Sequence, residues 1–97
     1  MMKILFEVTS QGAAELLVPL ANACDRAALS WGCFFTGDGV HSLSNEDVKR
    51  VLETASWAIA CENSWESHMG ENSCPVKLGS QTNNSEIVGK SDRIISL

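Results

Sequence analysis

The chain of 97 residues is short of positive charge: seven lysines and arginines stand against twelve aspartates and glutamates, a net charge of -5. Such a surface repels a phosphate backbone and offers no counterion-releasing patch, so nucleic acid is not an expected ligand. Long hydrophobic runs are missing as well. The longest uncharged stretch, residues 27–37, has eleven residues and includes Ser30 and Gly32, against roughly 20 apolar residues needed to span a bilayer. No membrane partner is expected. At the start, Glu7 arrives before an apolar h-region of useful length has formed, so no targeting segment is read there and a cytoplasmic protein is expected. There is no Gly-x-Gly-x-x-Gly, no phosphate loop and no internal repeat; no cofactor is implied.

What is present is an ordinary globular composition, 44% apolar and 20% charged, which argues against disorder. The length allows one domain over 1–97, with room for one sheet and its covering helices. The acidity is local. Residues 38–71 hold seven carboxylates against Lys49 and Arg50, while the rest of the chain balances; that stretch suits a partner with a basic surface.

Lys3 to Val8 reads as a first strand, followed by an alanine- and leucine-rich segment over 13–30 with an apolar face of Leu17, Leu20, Ala21, Cys24, Ala27 and Ala28. Pro19 predicts either a helix that begins there or one that kinks there. Trp31 to Thr36 lacks polar alternation, the pattern of a parallel strand covered on both faces, and Gly37-Asp38-Gly39 reads as a turn. Ser44 to Asp47 supplies a helix start, with Val48, Val51, Leu52 and Ala55 toward the sheet. Trp57 to Cys61 is a third apolar strand, and Trp65, His68 and Met69 share one face of a short helix that Gly70 ends. Val76 to Leu78, Ser85 to Val88 and Arg93 to Leu97 read as a fourth strand, a last helical turn or two and a closing strand. The alternation predicts an α/β fold, a three-layer α/β/α sandwich with a mainly parallel sheet of about five strands.

In such a sheet reactive groups collect beyond the carboxyl ends of the strands. Cys61 is the nucleophile at such an edge: it ends a strand and precedes a helix, whose unpaired N–H groups favour a thiolate, while Glu62 and Glu66 oppose it. The competing reading is a packed, inert cysteine. Cys24 and Cys33 read as core, and Cys74 as an accessible loop thiol that resolves Cys61 or does nothing. In the cytoplasm all four are expected as reduced thiols. Cys61, His68, Cys74 and His41 match no zinc spacing, so no metal is assigned. His41, beyond the second strand, is placed where it would meet a ligand or a sulfur, and His68 is read as a helix histidine. Trp65 and Met69 suggest apolar surface for a neighbouring copy.

Three stretches, Cys33 to His41, Ala58 to Cys61 and Glu86 to Leu97, resemble the DsrE/DsrF-like family of sulfur-relay proteins, which includes TusD-like and YchN-like members. In that family a phenylalanine-rich second strand runs into a Gly-Val turn, and the last strand opens with an Asp-Arg pair, here Asp92-Arg93. The resemblance implies a five-stranded α/β/α sandwich, association into trimers or hexamers, and sulfur relay through a cysteine persulfide. The cysteine matching the sulfur carrier is Cys61. Active relatives often continue into a helix with an Arg-Gly pair, whereas this chain has Glu62 to Gly70 there. The expected function is therefore a sulfur carrier or sulfurtransferase-like protein acting through Cys61, with His41 or His68 assisting proton movement. The expected partners are a sulfur donor or acceptor protein and further copies of the chain. The alternative is a non-catalytic assembly or small-ligand-binding module of the same fold.

Overall fold

The computed structural model describes residues 2–97. Five strands form the sheet among these residues: β1 (Lys3–Val8), β2 (Ser30–Phe35), β3 (Trp57–Cys61), β4 (Lys77–Gly79) and β5 (Arg93–Ser96). Their order is β4-β3-β2-β1-β5, and every pairing is parallel. The middle strand, β2, and its neighbour β3 are those without polar alternation, while β1 on the other side carries Glu7. β2 is buried from Trp31 to Phe35, as both-face coverage requires.

The helices are α1 (Ala14–Arg26), α2 (Glu46–Val51), α3 (Glu62–Met69) and α4 (Gln81–Lys90). From β1 to β4 the chain steps in one direction across the sheet, and from β4 to β5 it returns across the whole sheet. Right-handed crossovers therefore put α1, α2 and α3 on one face and α4 on the other. The packing agrees. Leu17, Ala21 and Cys24 of α1, Val48 and Val51 of α2 and Trp65 of α3 join Phe6, Trp31 and Phe35 in the larger core. Ile87 and Val88 of α4 pack against a smaller cluster of Leu5, Phe34 and Cys61 on the opposite face. The result is the expected α/β/α sandwich.

Local chemistry sets the helix ends. The Asn45 side chain accepts from the N–H groups of Asp47 and Val48 at 2.8 and 3.1 Å, capping α2. Ser80 and Asn83 form a capping box at the start of α4. Gly70 ends α3 at φ +61, a conformation that favours glycine. α1 begins five residues before Pro19, which lies inside it and is exposed. The buried stripe is narrower than its pattern suggested: Ala27 and Ala28 lie beyond the helix and are exposed. Asp25 ties α1 down by accepting from Trp31 Nε1 at 2.8 Å and from the Thr54 hydroxyl at 2.6 Å.

Two elements depart from the expected pattern. Gly37–Ser44 is a 3₁₀ helix rather than a simple turn, and its two glycines have different tasks. Gly37 has φ +56, while a Cβ on Gly39 would lie 1.9 Å from the Val8 carbonyl oxygen. One needs left-handed backbone and the other needs contact distance to β1. α4 runs ten residues where a turn or two was expected, because its polar composition carries no apolar stripe. Among the described residues, no helix is long and apolar enough to cross a membrane.

Candidate functional site

β3 and β4 are neighbours, yet the helix after β3 lies on one face and the helix after β4 on the other. That makes the crevice at their carboxyl ends the topological switch point, where open α/β sheets place their ligands. Cys61 is the last residue of β3, and its register partner is Gly79, the last residue of β4. Cys61 is itself the N-cap residue of α3, and Ser80, next after Gly79, caps α4. Two helices thus begin at neighbouring strand ends, and the first N–H groups of α3 favour negative charge on the sulfur.

Cys61 exposes only 6% of its surface. Burial pushes the thiol up, but four donors outweigh it and the thiol lies below its ordinary range. They are the Ser64 hydroxyl, the backbone N–H groups of Ser64 and Asn63, and the Thr36 hydroxyl. Ser64 is held for this task from the other side: its Oγ accepts from the Gly37 N–H at 2.9 Å and lies 3.3 Å from Thr36 Oγ1. The 3₁₀ segment after β2 and the first turn of α3 therefore close on the sulfur together. Glu62 and Glu66, expected to oppose the thiolate, are exposed and are not among the groups that set it.

The other three cysteines move the opposite way. Burial raises Cys33 far above the thiol range. Cys24 is raised by burial and by the Asp25 carboxylate. Cys74 is half-buried against the larger core and is raised by burial, with the Val76 N–H partly offsetting it. Only Cys61 is lowered.

His41 is brought not to Cys61 but to His68. Their rings meet edge-on with Nε2 of His41 3.1 Å from Nδ1 of His68, and Asp38 Oδ1 lies 3.6 Å from the same Nδ1. No histidine is among the groups hydrogen-bonded to Cys61. Cys61, Ser64 and His68 nevertheless follow one another along a single face of α3, the face turned to the 3₁₀ segment. Trp65 does not offer apolar surface as expected: it is 5% exposed, and its Nε1 donates to the Asn72 carbonyl at 2.7 Å.

Five of the seven carboxylates of the acidic stretch fall into two groups, apart from Asp38 beside His68 and from Glu53. On α2, Glu46 pairs with Lys49 and Asp47 with Arg50. Beside α3, Glu62, Glu66 and Glu71 line a cleft of about 460 Å³ that also holds Asn63, Cys74 and Leu78.

Sequence reasoning found Cys61 but not Thr36, Ser64 or Asp38. A serine three residues after a strand-ending cysteine was the available signal for Ser64, since that spacing puts both on one helix face. No protein-family model matches the chain, and no curated protein matches it.

Proposed function

We propose that this protein is a cytoplasmic sulfur carrier, sulfurtransferase-like, that relays sulfane sulfur as a persulfide on Cys61. The observation that carries the reading is the four-donor setting that lowers the Cys61 thiol at the switch-point crevice. The resemblance to the DsrE/DsrF-like family, with Cys61 at the carrier position, supports it.

The chemistry is two sulfur exchanges. The Cys61 thiolate attacks the outer sulfur of a donor persulfide, R–S–SH. A new S–S bond forms to Cys61, the donor's S–S bond breaks, and the donor leaves as a thiolate that takes up the persulfide proton. The products are the Cys61 persulfide anion and R–SH, with no net oxidation. In the second exchange the persulfide takes up the acceptor thiol's proton, the acceptor thiolate attacks the outer sulfur of Cys61–S–SH, and the S–S bond to Cys61 breaks, leaving the acceptor persulfide and the Cys61 thiolate. Ser64, Thr36 and the two N–H groups stabilise the anion at both ends of the cycle. No proton step is assigned to His41, whose Nε2 is engaged with His68.

The acidic cleft beside α3 is the surface a basic donor or acceptor protein would meet. Assembly into a homo-oligomer belongs to the same reading, and the exposed apolar residues of the two edge strands, Leu78 and Ile94, are surface that a neighbouring copy would cover. A second reading, a small-ligand-binding module, draws on a cavity of about 230 Å³ lined by Lys3, Trp57, Ile87 and Lys90, beside the indole N–H of Trp57, which has no partner among the described residues.

Cold cyanolysis separates the two. Protein loaded with a low-molecular-weight persulfide and freed of excess donor should yield one equivalent of thiocyanate per chain, and Cys61→Ser none. A yield that persists in Cys61→Ser, or no yield from the wild type, overturns the carrier reading.

A further inference from the structure

We propose that Asp38, His41 and His68 form a binding site for one borderline divalent cation of the zinc class. The site is distinct from the Cys61 centre. Each residue offers a ligand atom, and the three atoms lie within 4.8 Å of one another. In a tetrahedral zinc site with bonds of about 2.0–2.1 Å to nitrogen and oxygen, neighbouring ligand atoms stand about 3.3–3.4 Å apart. The observed separations of 3.1 Å between His41 Nε2 and His68 Nδ1, and 3.6 Å between His68 Nδ1 and Asp38 Oδ1, bracket that value.

The backbone explains why the ligands converge. Asp38 and His41 are three residues apart in the 3₁₀ helix Gly37–Ser44. With three residues per turn, side chains at that spacing eclipse and project from the same side. His68 comes from the last turn of α3, one turn beyond Ser64, which is already fixed to the same segment through Gly37. Imidazole and carboxylate together select borderline first-row ions over magnesium or calcium.

The proton inventory of the trio supports a cation too. His68 Nδ1 faces two acceptor-bearing neighbours, and one proton on it serves only one of them. If it donates to Asp38, it has no lone pair left to accept from His41, and that one proton is shared between two acceptors; if it accepts from His41, the Asp38 oxygen faces a lone pair. A cation at the centre of the three uses every lone pair at once. Asp38 and His68 retain solvent exposure, so water completes the coordination.

The chain has only two histidines, which makes the test direct. Zinc titrated into the untagged full chain should shift the side-chain nitrogen resonances of both His41 and His68 together, saturating at one equivalent. Cobalt should give visible d–d bands without a thiolate charge-transfer band. His41→Ala, His68→Ala and Asp38→Asn should each weaken cobalt binding at least about tenfold, since loss of a group that only hydrogen-bonds a ligand already costs about 10–100-fold. Cys61→Ser should bind cobalt as the wild type does, which separates this site from the sulfur-carrier reading. Unmoved imidazole resonances, a response of one histidine alone, or a thiolate band that disappears in Cys61→Ser would each overturn the proposal.

Discussion

Replacing Ser64 by alanine removes one hydroxyl and leaves the sulfur, both helix starts and the strand in place. A hydrogen bond to a charged group contributes about 1.5–3 kcal/mol, which at 1.4 kcal/mol per factor of ten lowers the thiolate-to-thiol ratio of Cys61 by about 10- to 100-fold on the acid side of its titration. The observed reaction rate falls less than that. A more basic thiolate is a better nucleophile, with a Brønsted coefficient of about 0.4–0.5, so about half of the loss on a logarithmic scale is returned. The net expectation is alkylation by iodoacetamide about three- to tenfold slower at fixed pH, with the midpoint of the rate-against-pH curve displaced upward and the plateau at high pH raised. Peptide mapping by mass spectrometry assigns the rate to Cys61, and Ser64→Thr, which keeps a hydroxyl, should recover most of it. The Gly37 N–H also loses its acceptor, at a stability cost of about 1 kcal/mol that urea unfolding reads separately. An unmoved midpoint and plateau in a folded Ser64→Ala would refute the claim that hydroxyl donation governs this thiol.

Three further outcomes follow from the same geometry. Because the folded Cys61 thiol is lowered, the unfolded chain binds more protons between that value and the ordinary thiol range. The stability of the wild type relative to Cys61→Ser should therefore grow as pH rises through this window and level off as pH falls below it, in urea unfolding from about pH 6 to about pH 9; a difference that is flat or shrinks with rising pH contradicts this. Gly39→Ala forces a Cβ onto the Val8 carbonyl, backbone that has nowhere to retreat. It should cost roughly 3 kcal/mol and more than about 10 °C in Tm, and a calorimetric change within about 2 °C would show that the 3₁₀ segment shifts freely. Reversing Glu62 and Glu66 to lysine should slow association with a basic sulfur donor and flatten its dependence on salt in stopped-flow measurements, because the attraction between exposed charges is screened beyond about 8 Å.

The sheet was legible because its inner strands carry their own signature. Trp31 to Phe35 and Trp57 to Cys61 have no polar alternation, and a chain that alternates such strands with helices has few topologies open to it. Cys61 was legible for the same reason: the end of an apolar strand before a helix is a position in sequence as much as in space. The donors around it were not. Thr36 and Ser64 are 28 residues apart, and only the crossover from β2 to β3 brings them together, so neither hydroxyl announces its role locally. His41 was read from its strand-end position, but the 3₁₀ winding of Gly37–Ser44 turned it toward His68. Two nearby glycines suggest a turn, and the constraint on Gly39 comes from β1, which local pattern does not contain. α4 was read as a fragment because Ile87 and Val88 are its only apolar side chains among ten residues; its clearest local mark was the Ser80–Asn83 capping pair.

Site-resolved mass spectrometry of the wild-type chain after brief exposure to a persulfide donor tests the sulfur-carrier reading most directly. All four cysteines report in one experiment. One sulfur atom should be found on Cys61, removable by a reducing thiol, with Cys24, Cys33 and Cys74 unmodified. Sulfur on another cysteine in preference to Cys61, or an unmodified Cys61 under conditions that load a small thiol of ordinary acidity, would contradict the assignment.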